Sequence, residues 1–399
     1  MAEYSVQRLY KALKDAADES NVYGKGMLHL SDEGEEAIDN FVQEAVQDFT
    51  LATRAGEDLI RQVVQRYLTD AARPLGPVTI VERELFAPLL AEVRTWICFV
   101  PLVNMQVSTR FSVGPAEYVP KETARRYTER FLRRTGAKQN MRYFAETALK
   151  GIEESEVSAC LQLTFEAHPD AVTMAALHWA SNGINLIRAF TSMFYRHGDR
   201  AYFGTPSEVT GGLWSSLAFG NALNPSVVML RQHRHVHRPF VLSREMVSEL
   251  RAVGFGKLLR MAALPKTQGA TATAVWKCLQ VVGSSVTHQS HHRGLSDCVF
   301  ALDHLLSAES SSSAKIAERF AQLLGNNKRE RIDYDIRCRR LYHLRSEIVH
   351  AGRTDVGEED RREAESFAVS AAMKMLKMST RFSKRLELCN HLTGLRFGR

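Results

Sequence analysis

The sequence predicts a mainly α-helical protein, with an antiparallel four-helix bundle at the C-terminus preceded by a mixed α/β N-terminal region. Apolar residues recur at helical spacing in the first 75 residues. Short apolar or alternating runs typical of strands follow between residues 78 and 165. The C-terminal third carries four successive amphipathic stripes joined by short hydrophilic connections, which is the pattern of a helical bundle.

The elements of the N-terminal region follow from these patterns in chain order. Residues 1–75 are expected to be helical, and Pro74, Gly76 and Pro77 end that stretch. The next expected elements are strands at 78–81 and 97–100 with a helix around 84–94 between them, a basic helix at 121–135, a strand at 160–165 and a long helix from Asp170 to about Arg196. We therefore assign residues 1–250 to a mixed α/β sensor or substrate region, which can also be divided into a helical part at 1–75 and a second part at 76–250.

The C-terminal domain is assigned to residues 270–399. Its four apolar stripes lie within residues 295–306, 316–324, 334–349 and 364–376. The connections at 307–313, 325–328 and 352–360 are short, and short loops between amphipathic helices favour antiparallel neighbours.

Composition narrows the class of protein. The chain has 399 residues, of which 45% are hydrophobic and 24% charged, as in soluble globular proteins. The net charge of +7 is compatible with a polyanionic partner such as RNA. Six scattered cysteines form no CxxC pair, so no zinc knuckle or disulfide framework is indicated, and a reducing cytoplasm is expected. The N-terminus lacks a signal-peptide pattern and no apolar run is long enough to span a bilayer, so no membrane partner is expected.

The candidate catalytic pair is Arg345 and His350, at the end of the third predicted helix of the bundle. Arg345 stands where the apolar stripe through residues 334, 338, 341 and 348 would continue, and a charge there is costly unless it is paired or lies at a cleft. His350 follows five residues later, and Gly352 is suited to the position that ends a helix. A purely structural interpretation remains open, in which Arg345 pairs with Asp303 or Glu347 and His350 caps the helix.

An arginine and a histidine suit RNA cleavage without a metal or another cofactor. RNA carries its own nucleophile, the 2′-hydroxyl beside the scissile phosphate. A histidine can move the proton, and an arginine can stabilise the charge on the phosphate. Cleavage needs both a base and an acid, so a homodimer that joins two such pairs is expected.

The spacing alone is weak evidence, because an arginine followed by a histidine after four to six intervening residues also occurs at Arg231/His237, Arg337/His343 and Arg385/His391, although only Arg345/His350 has four. The surrounding residues 292–378, and above all residues 341–352 with the sequence LYHLRSEIVHAG, resemble the HEPN superfamily, in particular its Apea-like branch. That family is an all-helical bundle with an Arg-x4-6-His motif late in its third helix. The resemblance implies a HEPN endoribonuclease in which Arg345 and His350 are catalytic. Ser346, Asp303 and Glu347 are expected to support them, with Asp303 standing where the family usually has a glutamate.

By this resemblance the chain is a metal-independent endoribonuclease that leaves 2′,3′-cyclic phosphate ends and serves in antiphage defence or as a toxin. An activator is expected, because constitutive cleavage would be toxic. The alternative is a non-catalytic HEPN-type module that binds RNA, a nucleotide or a protein partner.

Further arginines are expected to contact RNA. His233, His235 and His237 alternate in a way that could bind a metal, but they alternate with arginines and lack neighbouring acids, which favours a basic loop facing RNA. The expected RNA-binding residues are Arg231, Arg234, Arg238 and Arg340.

Overall fold

The chain is mainly helical with small β-sheets, as the sequence predicts. The computed structural model describes residues 11–15, 20–23, 27–30, 32–47, 57–70, 93–135, 139–154, 157–194, 203–205, 208, 215–219, 227–231, 240–252, 255–256, 258, 269–288, 290–307 and 312–395. Contacts between residues divide the chain into two compact units. The first comprises residues 1–98 and 163–179, and the second comprises residues 99–162 and 180–399. The predicted domain division between residues 250 and 270 stays a prediction.

In the first unit, residues 11–15 are helical, and a hairpin follows in which β1 (Ser20–Tyr23) pairs antiparallel with β2 (Met27–Leu30). Two helices follow, α1 (Asp32–Gln47) and α2 (Glu57–Asp70), and they pack on each other. The buried face of α1 carries the predicted stripe of Ile38, Phe41, Val42 and Ala45. The prediction of helix throughout residues 1–75 was wrong at the hairpin, since Gly24 and Gly26 separate two short segments with residues suited to strands.

A four-stranded sheet of order β3-β7-β6-β5 and its flanking helices confirm most of the elements predicted for the middle of the chain. The predicted strands at 97–100 and 160–165, the basic helix at 121–135 and the long helix are all present. The predicted strand at 78–81 and nearly all of the predicted helix around 84–94 lie outside the described residues. The elements are β3 (Arg94–Val103), β4 (Met105–Val107), β5 (Phe111–Val113), β6 (Ala116–Pro120), α3 (Lys121–Thr135), α4 (Gln139–Glu154), β7 (Val157–Ala167) and α5 (Val172–Phe194), followed by β8 (Ser215–Phe219), β9 (Val227–Arg231), β10 (Phe240–Leu242) and α6 (Arg244–Ala252).

The C-terminal helical region, residues 269–395, contains six helices among its described residues, where the sequence predicted four. They are α7 (Ala270–Ser285), α8 (His291–Leu306), α9 (Ser313–Leu324), α10 (Lys328–Ala351), α11 (Glu358–Met378) and α12 (Arg385–Leu395). The additional helices are α7 and α12. Helix α7 is rich in threonine and valine, which have modest helix propensity, so its burial rather than its composition makes it helical.

Most residues of the predicted stripes form the core of this region, but the prediction was wrong for Val349 at the end of the third stripe, whose side chain is 55% exposed. The apolar residues of α8 and α11 that were assigned to the core are buried. The rings of Phe320, Tyr334 and Phe367 pack together, with centroids 4.6 to 5.8 Å apart, and join α9, α10 and α11. Helix α7 also lies against α5, because Gly283 packs directly on the backbone of Asn185. These contacts fix the position of α10, which carries the candidate pair.

Candidate active site at the end of α10

Capping at both ends sets the length of α10. At its start the Asn327 side chain accepts a hydrogen bond from the N–H of Glu330 at 3.0 Å, and the Glu330 carboxylate accepts one in return from the Asn327 amide at 2.8 Å. At its end Gly352 adopts a left-handed conformation with φ of 67° and donates its N–H to the carbonyl of Glu347. The helix therefore ends where the sequence predicts, and residues 345–350 form its last turns.

Arg345 lies half-buried beside a hydrogen-bonded pair contributed by α8 and α10. The Tyr342 hydroxyl donates to the Asp303 carboxylate at 2.7 Å. Burial and the neighbouring Asp303 raise the pKa of Tyr342, and the positive charge of Arg345 acts in the opposite direction. The guanidinium of Arg345 is therefore close enough to influence this pair electrostatically.

The ion pairs considered for Arg345 do not form. The Asp303 carboxylate is engaged by Tyr342. Glu347 instead pairs with Arg353 at 2.6 Å and lies 3.4 Å from a ring nitrogen of His343. Within the described part of the chain, Arg345 has no carboxylate within ion-pair distance. The structural interpretation of Arg345 as one half of a salt bridge is thus wrong for this structure.

The neighbouring arginines provide a contrast. Each of them contacts at least one carboxylate: Arg337 with Asp333 and Glu363, Arg339 with Asp335, Arg340 with Asp360 and Glu363, and Arg353 with Glu347 and Asp355. Among the described arginines between residues 337 and 353, Arg345 alone has no carboxylate within ion-pair distance. Because it is also half-buried, it is poorly screened by water and suited to an anionic ligand.

His350 is exposed, as is Ser346. Five residues separate His350 from Arg345, which corresponds to about 140° around the helix and about 7.5 Å along it. The two side chains therefore leave α10 in different directions, one towards its half-buried side and one towards solvent. Helix α10 alone does not converge them on one point, so a substrate or a second chain has to bridge them.

Of the four predicted RNA-binding arginines, only Arg340 has a side chain that the structure describes. Arg340 already contacts two carboxylates, those of Asp360 and Glu363. Arg231 is the last residue of β9, and the structure describes its backbone only. Arg234 and Arg238, with the three histidines between residues 233 and 237, lie outside the described residues. Their role in RNA binding stays a prediction.

A histidine–aspartate pair that sequence reasoning did not identify lies at the start of α8. A ring nitrogen of His288, Nε2, is 2.7 Å from the Asp297 carboxylate, and both side chains are about two-fifths exposed. The carbonyl of His288 accepts a hydrogen bond from Arg361 at 2.8 Å. Nine residues separate the two partners, so neither helical nor strand periodicity marks them as neighbours.

The buried pair Arg361–Glu365 holds this segment in place. Arg361 is fully buried and donates to Glu365 at 2.9 Å and to the carbonyl of Ser285 at 2.5 Å. Gly294 makes room for the guanidinium, since a Cβ there would lie 2.4 Å from its Nε. A signal was present in the sequence: the two opposite charges are four residues apart and flank Ala364 on the apolar stripe of α11.

These contacts join the starts of α8 and α11. Arg340, in the middle of α10, contacts Asp360 at the start of α11, and the next residue, Arg361, contacts His288 just before α8. The start of α11 therefore lies beside the middle of α10 and the start of α8. Arg345 lies beside the Asp303–Tyr342 pair, and Asp303 is near the other end of α8.

Among the described residues, no group of three or more histidine, cysteine, aspartate or glutamate side chains is arranged to hold a metal ion. In the same residues, no helix combines the length and apolar character needed to cross a membrane.

Comparisons with protein-family models, with curated proteins and with solved structures found no match. The resemblance of residues 292–378 to the HEPN superfamily therefore rests on the sequence alone.

Proposed function

We propose that this chain is a cytoplasmic, metal-independent endoribonuclease of the HEPN type, and that its C-terminal helical region is a HEPN-like bundle. One observation carries the proposal. Arg345 is a half-buried arginine without a carboxylate partner among the described residues, and it lies in the turn before the exposed His350. The neighbouring arginines are ion-paired, so the lack of a partner at this position favours an anionic substrate.

In the proposed reaction the 2′-oxygen of RNA attacks the adjacent phosphorus. A histidine imidazole, that of His350, takes the proton from the 2′-hydroxyl. The bond from phosphorus to the 5′-oxygen breaks, and that oxygen leaves with a proton from an acid. The products are a 2′,3′-cyclic phosphate and a 5′-hydroxyl, and neither water nor a metal ion is consumed.

Arg345 is assigned to the phosphate. Its planar fork can donate two hydrogen bonds to the non-bridging oxygens and stabilise the charge that develops on the pentavalent transition state. The Asp303–Tyr342 pair is assigned a positioning role, because the hydrogen bond from Tyr342 fixes the Asp303 carboxylate on the side of α10 that carries Arg345. Arg353 and His343 occupy Glu347.

The acid can come from two sources. A second copy of the chain would supply its own His350, and a symmetric dimer would place two Arg345/His350 pairs at one cleft. The His288–Asp297 pair is a candidate source within one chain, since a carboxylate 2.7 Å away orients the imidazole. His288→Gln separates these sources, because it impairs cleavage only if the second one operates.

Cleavage of RNA in excess EDTA tests the proposal. The matched variants are Arg345→Ala, His350→Ala and Arg339→Ala, the last removing an ion-paired arginine from the same helix. Loss of a charge that stabilises the transition state lowers the rate by about 10²–10³-fold, and loss of a general base by about 10²–10⁴-fold. Arg339→Ala should cleave near the wild-type rate. Because an activator is expected, cellular extracts from phage-infected and uninfected cells are supplied in parallel.

A non-catalytic binding module is the second candidate, and the exposed face of α10 favours it. Ile332 and Ile336 are 52% and 61% exposed. Ile332 and His350 are eighteen residues apart, which is about five full turns, so they lie on the same face of the helix. Exposed apolar side chains in line with His350 suit a partner or a second copy of this chain. Under this alternative, the chain associates through α10 but leaves RNA intact.

A further inference from the structure

The exposed face of the basic helix α3 is a surface that the proposed active site does not use. Packing fixes the rotation of this helix. Ala124 is 1% exposed and Leu132 is 9% exposed, and Ala124 belongs to a buried cluster with residues of β3, β6 and β7. Arg126 and Arg130 lie on the opposite side and are exposed. The fold therefore directs two arginines into solvent.

These two arginines are not neutralised. The Nε of Arg125 lies 2.9 Å from the Glu129 carboxylate, and Arg133 contacts the same carboxylate at 3.6 Å. In the described part of the chain, neither Arg126 nor Arg130 has a carboxylate partner. Like charges four residues apart on a helix repel each other. A bound polyanion would attract both arginines and offset this repulsion.

A row of aromatic rings runs beside the two charges. Tyr127 and Phe131 each follow one of the arginines, and their side chains are 36% and 43% exposed. The centroid of the Tyr127 ring lies 5.5 Å from that of the Phe99 ring, and the two rings pack on each other at a tilt. Within each row the residues are four apart, which is about 6 Å along the helix axis. Each ring lies about 100° around the helix from the arginine before it, so the rings form a second row, which flanks the arginines and borders the buried face.

We propose that this face of α3 binds single-stranded RNA. Its phosphates would contact Arg126 and Arg130, and its bases would stack on Tyr127 and Phe131. Proteins that hold single strands without reading sequence combine a positive track with aromatic stacking platforms, and both are present here. The inference rests on the proposed function only in naming RNA as the ligand. It requires no cleavage.

Fluorescence anisotropy with a labelled oligouridine tests the surface. The full-length chain carries Arg345→Ala, so that the oligonucleotide is not cut. The double variant Arg126→Gln/Arg130→Gln is compared with Arg339→Gln/Arg362→Gln, which removes the same charge from two ion-paired arginines. The first variant should lower the slope of log affinity against log salt by about 1.4, because each phosphate contact contributes about 0.7 for single strands. The control should leave the slope unchanged.

The aromatic row is tested separately by Phe131→Ala. Stacking of one base is worth a factor of about 5 to 150 in affinity, so the variant should bind oligouridine more weakly by an amount in that range. The circular dichroism spectrum and the midpoint of thermal unfolding of each variant should match those of the parent chain, so that a loss of binding is not caused by unfolding.

Three results would overturn the inference: no binding of oligouridine, equal salt slopes for the two double variants, or binding to anionic phospholipid vesicles in place of oligouridine. These experiments also distinguish a failure of the proposed RNA cleavage from a failure of the proposed RNA-binding surface. A chain that binds RNA through α3 but never cuts it refutes the cleavage alone. A chain that cuts RNA while the α3 variants bind normally refutes the surface alone.

Discussion

Replacing Arg361 with methionine removes the charge at the centre of the buried network that positions α8 and α11. The guanidinium is fully buried and donates to Glu365 at 2.9 Å, to the carbonyl of His288 at 2.8 Å and to that of Ser285 at 2.5 Å. The variant removes this guanidinium from the Glu365 carboxylate, whose residue is itself 2% exposed. Breaking a buried pair from one side costs about 3–5 kcal/mol of the free energy of unfolding, because an uncompensated charge remains.

Urea denaturation followed by circular dichroism measures this loss. The matched control is Arg362→Met on the same helix. Its partner is Glu358, in a solvent-exposed pair of the i,i+4 type that is worth only about 0.3–0.5 kcal/mol. The double variant Arg361→Met/Glu365→Met should recover much of the stability, since well-packed apolar residues often replace a buried pair without loss. An Arg361→Met chain as stable as Arg362→Met would refute this account of the network.

Three further predictions concern packing and ionisation. Tyr342→Phe removes the hydrogen bond to the Asp303 carboxylate and should lower the free energy of unfolding by about 1.5–3 kcal/mol, as measured by urea denaturation. Gly283→Ala should destabilise by about 1–3 kcal/mol, because its Cβ would lie 1.9 Å from a backbone oxygen of α5, whereas Gly394→Ala, with nothing within 4 Å, should stabilise by about 0.5–1 kcal/mol. Burial raises the pKa of the Cys338 thiol from 9.0 to about 12, so it should resist iodoacetamide at pH 8 in the folded chain. Because the unfolded chain releases that proton first, stability should fall as the pH rises from about 9 to about 12.

Helical periodicity was sufficient to predict the faces that α8 and α11 bury. A single apolar stripe determines which side of a helix enters a core, and both stripes are buried as expected. The end of α10 was also predictable, because Gly352 accepts the left-handed conformation that ends a helix more readily than other residues do. Both are local properties that neighbouring residues determine.

The partners of charged side chains were not predictable in this way. Tyr342 reaches Asp303 from 39 residues away, and His288 meets Asp297 through the packing of a loop on a helix. Glu347 forms an ion pair with Arg353, whereas Glu347 was considered from the sequence as a partner of Arg345. Each outcome depends on competition among side chains that only the folded structure brings together. For the same reason, only the folded structure could show that Arg345, unlike the neighbouring arginines, has no carboxylate partner among the described residues.

The most direct test of the central claim is a cleavage assay on RNA in EDTA with analysis of the ends produced. The account predicts that activated wild-type chain cuts RNA to 2′,3′-cyclic phosphate and 5′-hydroxyl ends. It also predicts that Arg345→Ala and His350→Ala lose this activity while the ion-paired control Arg339→Ala keeps it. Intact RNA with the wild-type chain in the presence of phage-infected extract, or undiminished cleavage by both active-site variants, would contradict the account.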